Sequence, residues 1–310
     1  MKIGICYDLK EHYIGEPETL AELDSIETVD AIYNALHDLG HVVERIGNAK
    51  HLIDRLAVGN RWELVFNISE GVFGTARESQ VPAILDVYHI PYTFSDPATL
   101  AVCLNKWMAK TIVNAGGGGV TASYLTDQPL FEVPFPFPLF VKPNNEGTSK
   151  GVSSKSVVRD PRDLLEITTS LLGRYKELLI EPFLPGREYT VGIVAGRVFG
   201  TMEIIVSNQD HLYSYDAKQD WHNRVRYEFN TRADVESLAL SAWSSLGCQD
   251  AGRVDIRCNA QGRPFFIEVN PLPGLHPVDS DLPMIATFAG ITYIELIGLI
   301  VKAARKRCLL

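Results

Sequence analysis

The sequence predicts an α/β fold with a parallel sheet in its amino-terminal part. Two patterns carry that expectation. Up to about residue 95, short apolar runs of strand length alternate with segments whose apolar residues recur at helical spacing, the order that builds parallel strands connected by helices. From Pro138 the order changes to strand, glycine loop, strand, helix, strand, and hairpins follow. At 310 residues, 46% hydrophobic and 22% charged, the chain can bury a large core and has room for roughly two domains of 100 to 200 residues, or three smaller ones.

Residues 2 to 7 read as the first strand. Ile26, Val29, Ile32, Tyr33, Leu36 and Leu39 then keep helical spacing until Gly40 stops them. His41 to Ile46 and Glu63 to Ile68 are the next two apolar runs, with a helical segment between them, and Ser79 to Tyr88 reads as a helix. Asp96-Pro97 has the N-cap and first-turn chemistry of a further helix, expected to run unbroken to Asn114. Gly116 to Gly119 follow that helix instead of joining a strand to one, so they read as a C-cap and linker and not as a phosphate loop. PLFVKP, NNEGTSKG, VSSKSVV, a helix over 161 to 172 and ELLIEPF come next, and Glu188 to Val206 reads as a hairpin turning at Ala195-Gly196-Arg197. Residues 207 to 227 have no clear period and are expected to form a functional loop.

Charge narrows the function. With 29 basic and 38 acidic residues the net charge is −9, which argues against nucleic acid held through phosphate contacts and leaves room for a small charged ligand with a local basic cluster. MKIGICYDLK lacks the apolar run of a signal sequence, and the stretch from Ile291 to Val301 is interrupted by Thr292, Tyr293 and Glu295. A cytoplasmic protein with no membrane partner is expected. Cys6, Cys103, Cys248, Cys258 and Cys308 form an odd set without CxxC spacing, read as reduced and mostly buried thiols.

The most informative segment is GRVDIRCNAQGRPFFIEVNP. A two-residue turn at Gln261-Gly262 sets Asp255 opposite Glu268 and Arg253 opposite Asn270. Alternation then puts Val254, Ile256, Cys258, Phe265, Ile267 and Val269 on one apolar face and the four polar residues on the other. Two carboxylates facing each other are best tolerated with a cation between them, and a carboxylate, carboxylate and amide oxygen set suits Mg²⁺ or Mn²⁺. The bland alternative is a solvated hairpin face with a fortuitous charge pair. A second constellation is basic: Lys106, and Lys142 at the end of PLFVKP, with the turn Glu146 to Gly151 offering backbone N–H groups to phosphates; a plain tight hairpin is the alternative. Third, Glu181 ends an apolar strand whose proline-containing exit exposes backbone groups to an adenine edge, and Glu188 stands where it could accept from ribose hydroxyls, although acidic residues at strand ends are common solvated positions.

Taken in order, VFNISEG, LNKWMAK, FVKPNNEGTSKG, LLIEPFLPGREYTV, LYSYDAK, GRVDIR and FIEVNPLPGL followed by SDLP resemble the ATP-grasp ligases, and within them the D-alanine–D-alanine ligases, from about Glu63 to Gly290. The resemblance implies a two-part ATP-grasp fold behind the parallel-sheet part, with divisions at 1–95, 96–186 and 187–310. It implies ATP and magnesium: Lys106 and Lys142 on the phosphates, Glu181 and Leu184 at adenine, Glu188 at ribose, Lys218 closing over the γ-phosphate, and Asp255, Glu268 and Asn270 holding the metal. Arg253 and Gly274 match groups that stabilise a tetrahedral intermediate, and Ser280 a contact to the second substrate's carboxylate, with one residue inserted between Gly274 and Ser280. A homodimer is also what the family suggests.

Two departures qualify the resemblance. The family's GGxSxExxxS signature is missing near the amino terminus, where Glu16, Glu18 and Glu22 are candidate replacements. Gln219 replaces the tyrosine expected after Lys218, and Thr148 replaces the usual glycine-loop serine. The expected function is therefore a carboxylate–amine ligase acting on amino-acid or carboxylate substrates through an acyl phosphate. A D-alanine–D-alanine ligase proper and a non-catalytic ATP-binding module are the alternatives.

Overall fold

The computed structural model describes residues 1–207 and 224–309. Strand β1 (Lys2–Tyr7) lies between β2 (Val42–Gly47) and β3 (Leu64–Ile68), and both pairings are parallel. Helices α1 (Ile26–Asp38), α2 (Ala49–Ala57) and α3 (Gln80–Val87) connect or follow these strands. The α/β expectation holds there. Asn48 caps α2 by accepting from the Lys50 and His51 N–H groups, which ties the helix start to the end of β2.

The helix expected from Asp96 to Asn114 is two helices, α4 (Pro97–Leu104) and α5 (Lys106–Ala115). Asn105 breaks the run: its backbone is extended and its side chain accepts from the Met108 N–H as a second N-cap. Asn144 completes the break, its carbonyl accepting from Lys106 N and its side-chain oxygen from Trp107 N. The break aims Lys106 from a helix start toward the glycine loop. Gly116, with Gly117 at φ +82°, ends α5 as expected of a C-cap.

Strands β4 (Tyr124–Thr126), β5 (Leu139–Pro143), β6 (Val157–Val158) and β7 (Leu178–Pro182) form an antiparallel sheet in the order β4-β7-β5-β6, backed by α6 (Pro161–Leu172). The larger antiparallel sheet runs β10-β9-β8-β11-β12, comprising β8 (Glu188–Val194), β9 (Arg197–Val206), β10 (Val225–Phe229), β11 (Ala251–Cys258) and β12 (Pro264–Asn270). Ala195 and Gly196, both at positive φ, make the expected hairpin turn between β8 and β9. The end of the segment expected as loop is strand: β10 pairs with β9 from Val225.

The hairpin of β11 and β12 departs from the expected geometry in two places that cancel. Its turn has three residues, closed by Asn259 N to Arg263 O and Gly262 N to Asn259 O, with Gly262 at φ +79°. A bulge then inserts Ile267 between the pairs Ile256–Phe266 and Asp255–Glu268. Asp255 still faces Glu268 and Arg253 still faces Asn270. The apolar face differs, because the bulge reverses alternation beyond it: Phe266, fully buried, packs with Val254, Ile256, Cys258 and Val269, whereas Phe265 lies outside that core and Ile267 turns to a cavity.

Helices α7 (Ala233–Ser245), α8 (Asp281–Phe288) and α9 (Tyr293–Cys308) complete the fold. Helix α7 covers one face of the larger sheet, while α8 and α9 pack with α1 and the parallel sheet in one core. No single helix among the described residues is long and apolar enough to cross a membrane.

Candidate active site

Two cavities meet along a common wall formed by Lys106, Glu146, Arg253 and Glu268. The first lies between the two antiparallel sheets and is lined further by Lys142, Glu181, Leu184, Glu188, Asp255 and Ile267. The second extends toward the parallel sheet, lined by Thr148, Asn270, Gly274 and Ser280 among others. All the site residues expected from the sequence line one cavity or the other except Lys218, which with Gln219 lies outside the described residues.

Strand β7 delivers Glu181 into a buried cluster of cations. Its carboxylate meets Lys110 Nζ at 2.5 Å and Lys142 Nζ at 2.8 Å, and accepts from Thr121 Oγ1 at 2.5 Å. Burial alone would raise the Glu181 pKa, but the two lysines hold it at about 2. Burial draws the Lys110 ammonium down even though Glu181 pulls it up, so desolvation is the stronger influence on that lysine. Lys110 also donates to the Phe266 carbonyl at 3.1 Å, which joins α5 to the bulged strand. Sequence reading missed Lys110; its signal was the i, i+4 spacing from Lys106, which puts both on one face of α5.

At the shared wall, Lys106 Nζ stands 3.2 Å from Glu268 and donates to the Glu146 carbonyl. Arg253 grips Asp255 at 2.5 Å and reaches Asp281 at 3.4 Å, and Asn270 Nδ2 donates to Asp255 at 3.3 Å. Burial would weaken the Arg253 charge, but Asp255, Asp281 and Glu268 hold the guanidinium firmly protonated. The Asp255, Glu268 and Asn270 donors are all oxygen-bearing, are set side by side by strand register, and present a concentration of negative charge at present balanced by Lys106 and Arg253. That donor chemistry fits a hard divalent cation. Glu188 is paired with Arg257 at 3.1 Å.

The glycine loop is pinned by the amino-terminal segment. Glu22 accepts from Gly147 N at 2.7 Å and pairs with Lys150 at 2.7 Å and Arg77 at 2.9 Å, while Glu18 accepts from Gly151 N at 2.7 Å and pairs with Arg174. Burial pushes the Glu22 pKa up, and Arg77 and Lys150 more than reverse it. Of the three glutamates singled out near the amino terminus, Glu18 and Glu22 hold the loop and Glu16 is exposed. Thr148, at φ +51°, lines the second cavity, whereas Ser149 and Lys150 line the first. Ser280 precedes α8, and its Oγ accepts from His276 N at 2.9 Å. A Cβ on Gly274 would come within 2.8 Å of that oxygen, so glycine permits the approach.

A family model described as the D-ala D-ala ligase C-terminus matches residues 128–302. The D-alanine–D-alanine ligase of Aquifex aeolicus is 30% identical over 283 residues, covering 89% of this chain and 94% of that protein. The D-alanine–D-alanine ligase of Citrifermentans bemidjiense is 33% identical over 287 residues, covering 90% and 91%. Among solved structures, the D-alanine–D-alanine ligase from Bacillus anthracis complexed with ATP superposes with a TM-score of 0.78 at 22% identity, covering 100% of this chain and 99% of that one. The D-Ala:D-Ser ligase from Enterococcus faecalis gives 0.74 at 18% identity, covering 98% and 99%. At those identities the structures establish the shared fold.

Proposed function

The chain belongs to the D-alanine–D-alanine ligase family of ATP-grasp enzymes, ATP-dependent ligases that form a C–N bond and release ADP and phosphate, and from that premise we propose that its two cavities divide the reaction between them. The first takes the nucleotide, and the second takes two amino-acid substrates. The carboxylate of one substrate attacks the γ-phosphorus, ADP leaves, and the resulting acyl phosphate is attacked by the amine of the other. The amine loses a proton, phosphate departs and an amide remains.

The observation that carries this reading is the shared wall. Lys106, Arg253 and Glu268 border both cavities, so a phosphoryl donor on one side and a carboxylate acceptor on the other would meet beside two cations, Lys106 buried and Arg253 largely so. Lys106 and Lys142 would screen phosphate charge, and Arg253 would hold the oxyanion of the tetrahedral intermediate. Asp255, Glu268 and Asn270 would hold magnesium, which supplies charge neutralisation to the phosphates when bound. Glu18 and Glu22, by holding down the glycine loop, would keep water from the acyl phosphate. In this reading residues 1–95 read substrate, residues 96–186 and 187–310 clasp the nucleotide, and the five free cysteines suit a cytoplasmic enzyme.

That both substrates are D-alanine is favoured by the names of the 30% and 33% identical relatives. A different pair is favoured by the lost amino-terminal signature and by Gln219 and Thr148. Purified protein with ATP, magnesium and amino acids supplied singly and in pairs decides. ADP release that needs an amino acid supports the ligase, and a kcat/KM for D-alanyl-D-alanine of about 10⁴ M⁻¹s⁻¹ or more selects the D-alanine reading. ADP release indifferent to every amino acid refutes both.

A further inference from the structure

Beyond the shared wall the second cavity becomes acidic. Glu22, Asp24, Glu70 and Glu78 line its side nearest the parallel sheet. Glu22 is neutralised by Arg77 and Lys150. Asp24, Glu70 and Glu78 have neither an ion-pair partner nor a side-chain hydrogen bond among the described residues. Glu78 is only 8% exposed, and that exposure is at the cavity it helps to line.

Buried carboxylates without a partner are costly to keep charged. Burial, with Glu22 adding to it, pushes the Glu78 carboxyl up to about 8, although Arg77, Lys106 and Lys150 draw it down. Burial, then Glu78, Glu22 and Asp24, hold Glu70 well above the carboxylate range although Arg77 draws it down, and burial takes Asp24 to about 7 although Lys10, which lines the same cavity, draws it down. Such groups either carry protons or meet a cation. Among the described residues no three His, Cys, Asp or Glu side chains stand close enough to hold one metal ion. A single metal ion therefore does not meet all three, whereas an organic cation can carry positive charge at more than one point.

We propose that the second cavity takes an amino acid with a basic side chain as the substrate whose carboxylate is activated, its carboxylate at Arg253 and Lys106 and its ammonium groups among Asp24, Glu70 and Glu78. The proposal rests on the ligase reading and names the substrate class of that site. The activated substrate keeps its α-ammonium, since only the attacking amine must lose a proton. One ammonium leaves part of a three-carboxylate wall unmatched, and a neutral side chain would bury the remainder without a partner. A side-chain ammonium or guanidinium matches it.

Calorimetric titration of the full chain, with magnesium and a non-hydrolysable ATP analogue, compares lysine and ornithine with norleucine and alanine in both enantiomers. ADP release is measured for the same amino acids in pairs. Lysine or ornithine is expected to bind at least about tenfold more tightly than norleucine, which has lysine's chain without its amine, as one charge-assisted pair in a buried site supplies. Glu78→Gln should remove most of that ratio. Norleucine or alanine binding as tightly as lysine, or no binding of either basic amino acid, overturns the cation-binding pocket, and the wild-type comparison decides this even if the variant fails to fold. A lysine preference without ADP release from any pair keeps the pocket and refutes the ligase reading.

Discussion

Replacing Glu181 by glutamine tests whether the cluster lining the first cavity is held together by charge. Glu181 is 4% exposed and faces two buried lysines. Its carboxyl sits at about 2 against an ordinary 4.5, a gap that corresponds to about 3 kcal/mol at roughly 1.4 kcal/mol per pH unit. The net value of the cluster is smaller, because burial works against the Lys110 charge. The variant nevertheless strands Lys110 and Lys142, and losing one partner of a buried pair costs about 3 to 5 kcal/mol. The pH dependence has a definite sign. A depressed carboxyl contributes stability that is complete above its unfolded value of 4.5 and is lost as pH falls toward about 2. Glutamine does not titrate, so the stability gap between wild type and variant should be flat from pH 7 to about 5 and then close by roughly 1.4 kcal/mol per pH unit. Urea unfolding at pH 7, 5, 4 and 3 measures it. A gap that stays constant down to pH 3 refutes a charge-based role for Glu181.

Glu22→Gln should loosen the glycine loop, seen as amide exchange at Gly147 to Gly151 faster by about tenfold or more, the loss of one charge-assisted contact; unchanged exchange would mean the loop is held by something else. Arg253→Ala should lower kcat by roughly 10² to 10³ with ATP binding nearly intact, and a change confined to KM would assign Arg253 to ground-state binding. Asp255→Asn or Glu268→Gln should abolish turnover while thermal unfolding stays cooperative, and full activity at limiting magnesium would remove them from the metal site. Gly252→Ala should destabilise by about 1 to 3 kcal/mol, because a Cβ there meets the Asn270 carbonyl at 2.5 Å and the Trp243 ring at 2.7 Å; an unchanged midpoint of thermal unfolding would contradict the β11 and β12 register.

The elements most legible in the sequence were those specified by local pattern. Alternating and helical periodicities located the parallel strands, α1 and the β8–β9 turn, because each depends on residues close in the chain. The break at Asn105 was locally encoded too, but an asparagine inside an apolar helical run reads as helix until Asn144 takes up the N–H groups of the next turn. The pairing of Asp255 with Glu268 was read correctly from a turn one residue too short. Neither the three-residue turn nor the Ile267 bulge is visible in alternation alone, and their effects cancel at Asp255 while exchanging Phe265 for Phe266 in the core. Partners far apart in sequence, such as Glu22 with the glycine loop and Lys110 with Glu181, had no local signal beyond residue type.

The acidic wall shows how topology supplies what spacing does not. Asp24, Glu70 and Glu78 share no motif, yet each follows the carboxyl end of a strand in the parallel sheet. Asp24 bridges to Leu9 just beyond β1, Glu70 lies two residues past β3, and Glu78 sits in the turn before α3. In the order β2-β1-β3 the chain leaves β1 toward β2 and later returns on the other side of β1 to form β3. The connections therefore diverge between β1 and β3, and in parallel sheets a crevice opens beyond the carboxyl ends of strands at such a point. Side chains placed there line a cavity instead of the core, which is how three carboxylates can stand at a protein wall without an ion-pair partner among the described residues. On the proposed reading their lack of partners belongs to the substrate position, and the charge that completes them would arrive with a basic substrate.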